Sequence, residues 1–321
     1  MRIILFETTG HRLSYAEYVR NLFSAEPPLV YQHKIVLSTI VYRKTLVFTS
    51  VDDSWVIFLL IAAIRTFFGL RTVGVVLTPK ILEITNGLQP RVRLAKLLIQ
   101  LYSLVGRFRV ITPVPKLESD VPLGDIRFVH GPEWLVKENS FIHEISEKQP
   151  NNCPPINCSG LSGKLFFYGS TGEHKDLRYL NRLLDRHVGL ELIFYRNPVT
   201  AEPLCDQQIM MKKRALELEE KYFTDRELIE KLEQVDFVWA CYANGYDQAS
   251  GVVASAILSS KIPILRKGSR AQIDLERHNL RHLLVSPCED LKVEYVRGHR
   301  NLSATLIEEW KDDFVSAFKG L

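Results

Sequence analysis

The sequence of 321 residues has few cysteines, and they are not arranged to bind a metal ion. The five cysteines, at positions 153, 158, 205, 241 and 288, are odd in number and scattered along the chain. None belongs to a Cys-x-x-Cys pair of the kind that structural zinc sites use. We therefore expect free thiols and a reducing compartment.

Long apolar runs and a strong net charge are also missing. Met1–Phe6 is too short an apolar stretch for a signal peptide and predicts a first strand. Trp55–Ile64 holds ten consecutive apolar residues, about half of what a transmembrane helix requires, so we expect a buried core helix there. The net charge of +4 is too small to indicate a nucleic-acid partner, but it permits an anionic substrate or an acidic membrane surface.

An Asp-x-Asp element, which could hold a divalent cation at the end of a strand, is absent from the sequence. The acidic pair Asp52-Asp53 is expected to cap a helix that begins near Ser54. We therefore predict chemistry without a metal ion and without a cofactor.

The length and composition predict two α/β domains. The 46% of hydrophobic and 24% of charged residues are typical of a globular protein, and the length suits two domains of about 150 residues. A stretch rich in Lys, Asn, Pro and Gly at 136–163 predicts the linker. The predicted domains cover residues 1–150 and 160–302, with a closing helix at 303–321.

Short apolar runs alternate with helical patterns in both halves, which predicts two doubly wound sheets. The first half has predicted helices near 15–23, 55–68 and 92–105 and predicted strands at 3–6, 35–37, 46–49, 73–77, 110–112 and 126–129. The second half has predicted strands at 164–168 and 190–195 and a charged helix at 206–222.

The segment Tyr246–Leu265 predicts an anion site between a strand and a helix. The apolar run Val235–Cys241 precedes it, and Ser250 is placed to cap a helix of small residues while Gly251 permits a close backbone approach. A diphosphate suits the free amides of such a helix. The alternative is an ordinary capped helix in any α/β domain.

A second phosphate element is predicted at Tyr168–Lys175. Here a strand ends in Gly169, Ser170 can cap a helix with Glu173 as its capping-box partner, and Lys175 follows one turn later. The alternative for Lys175 is a solvated surface lysine.

Asp247–Gly251, the helix after it and Lys261–Ile264 resemble the nucleotide-sugar loop of GT-B glycosyltransferases, in particular the family 4-like group of bacterial polysaccharide biosynthesis. The resemblance implies two Rossmann-like domains that face each other across a cleft. It also implies that the donor binds mainly to the second domain, and that the terminal helix packs back on the first domain.

The resemblance also implies roles for individual residues. Lys175 corresponds to the lysine that stabilises the leaving diphosphate, and Asp247 to the first acid of a pattern that contacts the donor sugar. The second acid's place holds Ala256, beside Ser255, so that acid is missing. The further substrate-binding residues are Gly10, Gly169, Ser170, His174, Gln248, Ser250 and Gly251.

His11, in the loop Thr8–His11 after the first strand, is one candidate acid-base residue of the first domain, and His130, which follows a later predicted strand, is a second. A structural or solvated role is the alternative for His11. Tyr195 and Arg196, which follow a strand of the second domain, are candidates for the pocket of the nucleotide base, or ordinary loop residues.

The predicted function is metal-independent transfer of a sugar from a nucleotide-diphosphate donor to a growing surface-polysaccharide or lipid-linked glycan. The predicted location is cytoplasmic. The basic, apolar segment 91–109 predicts either a helix in the membrane interface or a core helix with solvated basic ends, and the resemblance favours peripheral contact with the membrane. Two alternatives stay open. One is a non-catalytic GT-B subunit that binds nucleotide sugar or a partner enzyme, and the other is a nucleotide-sugar epimerase.

Overall fold

Two mainly parallel sheets, one in each half of the chain, are built from the short apolar segments of the sequence. The computed structural model describes residues 1–6, 12–30, 39–51, 54–76, 94, 97–101, 104, 106–112, 127–128, 160–169, 175–196, 211, 214–221, 223, 225–244, 250–286, 293–296, 298 and 304–319. Two compact units result, Met1–Val136 with Ile307–Leu321 (unit 1) and Lys137–Leu306 (unit 2).

The sheet of unit 1 is entirely parallel, in the order β2-β1-β3-β4-β5-β6. Its strands are β1 (Arg2–Leu5), β2 (Leu29–Val30), β3 (Leu46–Phe48), β4 (Thr72–Val75), β5 (Phe108–Thr112) and β6 (Arg127–Phe128). Every residue of β3 and β5 is buried and most are apolar, as is usual for a parallel sheet that helices cover on both sides.

Helices cover both faces of this sheet. Helix α1 (Arg12–Phe23) and the terminal helix, Ala304–Lys319, pack on one face, and α2 (Trp55–Phe67) packs on the other. The terminal helix buries Phe314 and Phe318 against Tyr18 and Phe23 of α1, with ring centroids 5.7 and 5.0 Å apart. The chain thus returns to its first unit after completing the second.

The sheet of unit 2 has the order β13-β12-β11-β10-β7-β8-β9, with only β13 antiparallel. Its strands are β7 (Ser162–Phe167), β8 (Gly189–Arg196), β9 (Glu217–Glu220), β10 (Phe237–Trp239), β11 (Ile262–Arg266), β12 (His282–Val285) and β13 (Val293–Val296). The helices between them are α3 (Leu177–Arg186), α4 (Asp225–Glu233), α5 (Gly251–Leu258) and α6 (Arg270–Arg277), and the terminal helix is α7.

The predicted α/β class with two doubly wound sheets is confirmed. Most predicted elements are present, and most of their ends lie within three residues of the predicted positions. The predicted strand at 35–37 lies outside the described residues, and the short strand β2 had no counterpart in the prediction.

The predicted charged helix at 206–222 is wrong over its last part, because Glu217–Glu220 forms strand β9. The strand pairs in parallel with β8, and its Glu217 accepts hydrogen bonds from Tyr195 and Lys231. A run of Glu and Leu has high helix propensity, but tertiary pairing overrides that preference here.

Candidate functional site

The candidate site of unit 2 lies where the order in which the chain adds strands to the sheet reverses. From β7 the chain moves outward to β8 and β9, and it then returns to the other side of β7 to form β10, β11 and β12. In open parallel sheets, ligands bind outside the carboxyl ends of the strands at such a reversal. The residues that follow β7 and β10 therefore form the candidate site.

The prediction that Lys175 lies one turn inside a helix capped by Ser170 is wrong, because α3 begins at Leu177 with Asp176 as its N-cap. Lys175 lies after β7 and before this helix, and its side chain is only 4% exposed. Its Nζ donates a hydrogen bond of 2.5 Å to the carbonyl oxygen of Tyr168. The same atom lies 4.8 Å from the ring centroid of Phe167 and 5.8 Å from that of Tyr242. The alternative of a solvated surface lysine does not describe this residue.

Burial lowers the pKa of Lys175 from 10.5 to about 7. Desolvation penalises the ammonium form, and none of the contacts above supplies a carboxylate to offset that penalty. The amine is therefore poised to gain or lose a proton near neutral pH. An anion placed beside it would favour the charged form.

Gly169 makes room for this amine. Its φ of +100° lies in the region that side chains rarely adopt, and a Cβ atom there would lie 3.3 Å from Lys175 Nζ. Both the turn after β7 and the close approach of the amine therefore favour glycine.

Tyr242 links the lysine to the helix that follows β10. Its backbone pairs with that of Lys175 in an antiparallel bridge, and its hydroxyl lies 2.7 Å from Ser250 Oγ. Ser250 is the N-cap of α5, and its Oγ accepts a hydrogen bond of 3.3 Å from the amide of Val253. The predicted capping role of Ser250 is thus present in the structure.

Arg266 adds a second cation on the other side of Tyr242. It ends strand β11, is buried, and donates a hydrogen bond of 3.0 Å from Nε to the carbonyl oxygen of Tyr242. The sequence interpretation missed both Arg266 and Tyr242. The signal was available, because Arg266 closes the apolar run Ile262–Leu265 and Tyr242 closely follows the run that ends in Cys241.

The position of the missing second acid is closed to solvent. Ser255 and Ala256 are fully buried, and Ser255 Oγ donates to the carbonyl oxygen of Gly251 within α5. Ala256 packs in an apolar cluster with Val238 and Leu232. The helix therefore uses this turn for packing, with no carboxylate.

Of the predicted site residues, the structure brings together Gly169, Lys175, Ser250 and Gly251 at the carboxyl edge of β7 and β10. Seven others lie outside the described residues and stay predictions, namely Gly10, His11, His130, Ser170, His174, Asp247 and Gln248.

The suggestion that Tyr195 lines a base pocket is wrong. Its side chain is fully buried, stacks on Phe223 with ring centroids 4.7 Å apart, and donates to Glu217 Oε1 at 2.5 Å. Burial and this hydrogen bond raise the pKa of its hydroxyl. The residue belongs to the packing between β8, β9 and α4.

The described residues offer neither a metal site nor a membrane-spanning helix. They contain no group of three or more His, Cys, Asp or Glu side chains placed to hold a metal ion. Within the same part of the chain, no helix combines the length and the apolar character needed to cross a bilayer.

No protein-family model matches the sequence, and no curated protein matches it. Solved structures do resemble it. One is the structure of trehalose-6-phosphate from E. coli bound with UDP-2-fluoro glucose. It has 12% sequence identity to this chain and a TM-score of 0.52, and the match covers 95% of this chain and 78% of that chain.

An α,α-trehalose-phosphate synthase (UDP-forming) from Burkholderia xenovorans has 10% identity and a TM-score of 0.46, with 96% of this chain and 85% of that chain covered. An α-glucosyltransferase in complex with UDP and DNA has 10% identity and a TM-score of 0.45, and the match covers 84% of this chain and 80% of that chain. Identities this low bear on the fold alone. The chain has the GT-B fold of glycosyltransferases.

Proposed function

We propose that this protein transfers a sugar from a nucleotide-diphosphate donor to a glycan acceptor, and that the donor diphosphate binds at the carboxyl edge of β7 and β10. The observation that carries the proposal is the bridge between Lys175 and Tyr242, whose hydroxyl contacts the N-cap Ser250. A buried amine and a helix N-terminus are thereby held on adjacent strands. Both attract an anion.

The chemistry needs such positive charge. As the bond between the anomeric carbon and the diphosphate oxygen breaks, the bonding electron pair stays on the leaving diphosphate. The acceptor hydroxyl attacks the anomeric carbon and gives up its proton. The Lys175 ammonium stabilises the developing negative charge without a metal ion, and Arg266 adds a cation nearby.

The residues predicted to complete the site are His11 for acid-base chemistry, Asp247 for the donor sugar, and Gly10, Ser170, His174 and Gln248 for binding the substrate. The GT-B fold supports a nucleotide-sugar donor, since the E. coli structure above is bound with UDP-2-fluoro glucose. We further propose that the acceptor is a surface-polysaccharide or lipid-linked glycan. The protein would then act at the cytoplasmic face of a membrane.

The first experiment is a thermal-shift panel with UDP, GDP, ADP, CMP and dTDP. A ligand that binds only the folded state raises the melting temperature in a saturable way, so one nucleotide should stand out. Absence of a response to all five would contradict the proposal.

The role of Lys175 is tested by Lys175→Met, which keeps the length of the side chain and removes its charge. We expect the variant to stay folded, because an apolar side chain suits the buried site, and to lose most of the nucleotide-induced shift. Lys164→Met, at an exposed position of β7, is the matched control and should keep the full shift. Equal shifts in both variants would refute the role of Lys175.

A non-catalytic GT-B subunit is the second candidate. The observation that favours it is the buried, carboxylate-free position of Ser255 and Ala256. Such a subunit would bind the nucleotide and leave the nucleotide sugar intact. Release of free nucleotide from the responding donor, with an acceptor extract present, separates the two candidates, because only an enzyme turns the donor over.

A further inference from the structure

The amino-terminal edge of the sheet in unit 1 carries an unusual surface. Leu46, Thr72 and Phe108 are in register on the neighbouring strands β3, β4 and β5. The amide of Leu46 donates to the carbonyl oxygen of Arg71 at 3.1 Å, and the amide of Thr72 donates to that of Arg107 at 3.0 Å. The three chain segments that enter these strands therefore lie side by side.

Each of the three segments exposes large apolar side chains. Phe67 is 85% exposed and Leu104 83%, and Val41 and Phe68 are also exposed. The rings of Phe67 and Phe68 contact each other edge to face, with centroids 5.4 Å apart. These four residues, together with the cations described next, are called the amino-edge patch.

The charged residues of the amino-edge patch are all basic. Arg43, Lys44, Arg71 and Arg107 are exposed in the same three segments. The sequence has no Asp or Glu at 27–51, 54–82 or 84–117, so each segment lies within a stretch that lacks acidic residues. The whole chain has 41 basic and 37 acidic residues, and the excess of cations here is therefore local.

The apolar exposure continues along the helices that lead to this edge. Helix α2 buries Phe58 and Ile61 in the core and leaves Val56 and Leu60 exposed on its outer side. Helical residues 97–101 bury Ile99 in the same core. They expose, together with Leu94 before them, the side chains of Leu97 and Leu101.

We infer that the amino-edge patch is a docking surface for an anionic lipid bilayer. Exposed aromatic and aliphatic side chains can enter the boundary between head groups and acyl chains, while the surrounding cations meet anionic head groups. A local excess of cations fits a surface of uniform negative charge. Glu26, which accepts a hydrogen bond from the hydroxyl of Tyr42 in the first of these segments, is also paired with Arg2. This inference stands on geometry separate from the nucleotide site, and it does not require the proposed transfer.

Co-sedimentation of the full-length protein with vesicles tests the inference. We expect binding to vesicles of phosphatidylcholine with phosphatidylglycerol, and little binding to vesicles of phosphatidylcholine alone. Near a membrane each cation contributes about fivefold in binding, so Arg71→Gln with Arg107→Gln should weaken binding by more than about tenfold. Phe67→Ser with Phe68→Ser should weaken it as well. High salt should act like the arginine changes, because it screens surface charge.

Matched controls come from unit 2. Val188 is 93% exposed, and Leu216 is also exposed, so Val188→Ser with Leu216→Ser removes comparable apolar surface elsewhere. Arg226→Gln removes an exposed cation of α4. These controls should sediment like the wild type, and all variants should keep its melting temperature and its thermal shift with nucleotide.

Several results would overturn the inference. They are failure of the wild type to bind anionic vesicles, equal losses in the patch and control variants, and a concentration-dependent dimer, seen in sedimentation velocity, that the phenylalanine changes abolish without any lipid binding. A variant that loses vesicle binding but keeps the nucleotide response supports docking. A protein that binds vesicles and no nucleotide would refute only the proposed transfer.

Discussion

The backbones of Lys175 and Tyr242 pair in an isolated antiparallel bridge just beyond the ends of β7 and β10. Through this pairing, the segment after the first strand of unit 2 is held against the segment that leads to α5. The amide of Asp176 also donates to the carbonyl oxygen of Cys241, at 3.4 Å. The position of the buried amine is therefore coupled to the helix that Ser250 caps.

The pH dependence of nucleotide binding follows from the lowered pKa of Lys175. The free protein loses the ammonium proton near pH 7, and a bound diphosphate favours the charged form. Binding should therefore take up a proton, and affinity should fall as the pH rises above about 7. Isothermal titration in two buffers of different ionisation enthalpy measures the uptake. Lys175→Met should abolish the component of this profile that depends on the lysine.

The same group affects stability in the opposite direction. Between pH 7 and 10.5 the unfolded chain holds the Lys175 proton and the folded chain releases it. The unfolded state binds more protons in that window, so the contribution of Lys175 to the unfolding free energy rises with pH. Comparing melting temperatures of wild type and Lys175→Met across this window isolates the effect. A constant difference would contradict the lowered pKa.

The hydrogen bond between Tyr242 and Ser250 is predicted to position α5. Tyr242→Phe removes the hydroxyl and should cost about 1 kcal/mol in unfolding free energy, with a weaker nucleotide shift. Ser250→Ala removes the same contact together with the helix cap, and it should lower the unfolding free energy by about 1 kcal/mol more than Tyr242→Phe does. A double-mutant cycle measures the coupling, and additive effects of the two changes would disprove the interaction.

Arg65 is predicted to be the main polar support of unit 1. Its buried guanidinium donates to Thr72 Oγ1 and to carbonyl oxygens of Thr39, Ile40, Tyr42, Lys44 and Arg71 at 2.7 to 3.1 Å. Burial lowers its pKa to about 10. Arg65→Met leaves these acceptors without their donor, and we expect a loss of about 3 kcal/mol or more.

Arg65→Lys should rescue little of that loss, because an ammonium group cannot reach acceptors spread around a planar fork. Hydrogen exchange should show faster opening of β3 to β5 and leave β10 to β12 unchanged, since the contacts lie within unit 1. Full protection of β3 to β5 in Arg65→Met would contradict this role.

The terminal helix α7 is predicted to be needed for the stability of unit 1. Phe314 is fully buried against Tyr18 and Phe318, and Arg109 donates to the carbonyl oxygen of Ala317 at 3.0 Å. Phe314→Ala should cost about 3–5 kcal/mol, as other large aromatic deletions in cores do. Asp312→Ala, on the exposed side of the same helix, should be nearly neutral in urea unfolding. Equal stability of the two variants would refute the packing role.

Much of the secondary structure could be predicted because its signals are local. Apolar runs such as Ile262–Leu265 are buried strands, and Ser250 caps its helix as its type and place indicate. The stretch Glu217–Glu220 could not be predicted this way, since its strand exists only through pairing with β8 and the contacts of Glu217. Helix propensity is a weak term that such pairing outweighs.

The residues of the candidate site were likewise predicted only in part. Gly169, Lys175, Ser250 and Gly251 could be chosen from their types and from the resemblance, because a glycine turn, a lysine and a capping serine are visible in a linear sequence. Tyr242 and Arg266 also stand at the ends of apolar runs, but their contacts with the site cross from one strand end to another and exist only in the folded chain.

The sequence by itself determined the α/β class, the two-domain division and the cap of α5 at Ser250, because periodicity and capping act over a few residues. Tertiary structure decided the strand order that brings Lys175 beside Tyr242, the depth at which that lysine is buried, and therefore its pKa near 7. It also decided that Phe67 and Leu104 stay exposed beside Arg71 and Arg107. Burial and exposure depend on which elements pack together, and that is a property of the whole chain.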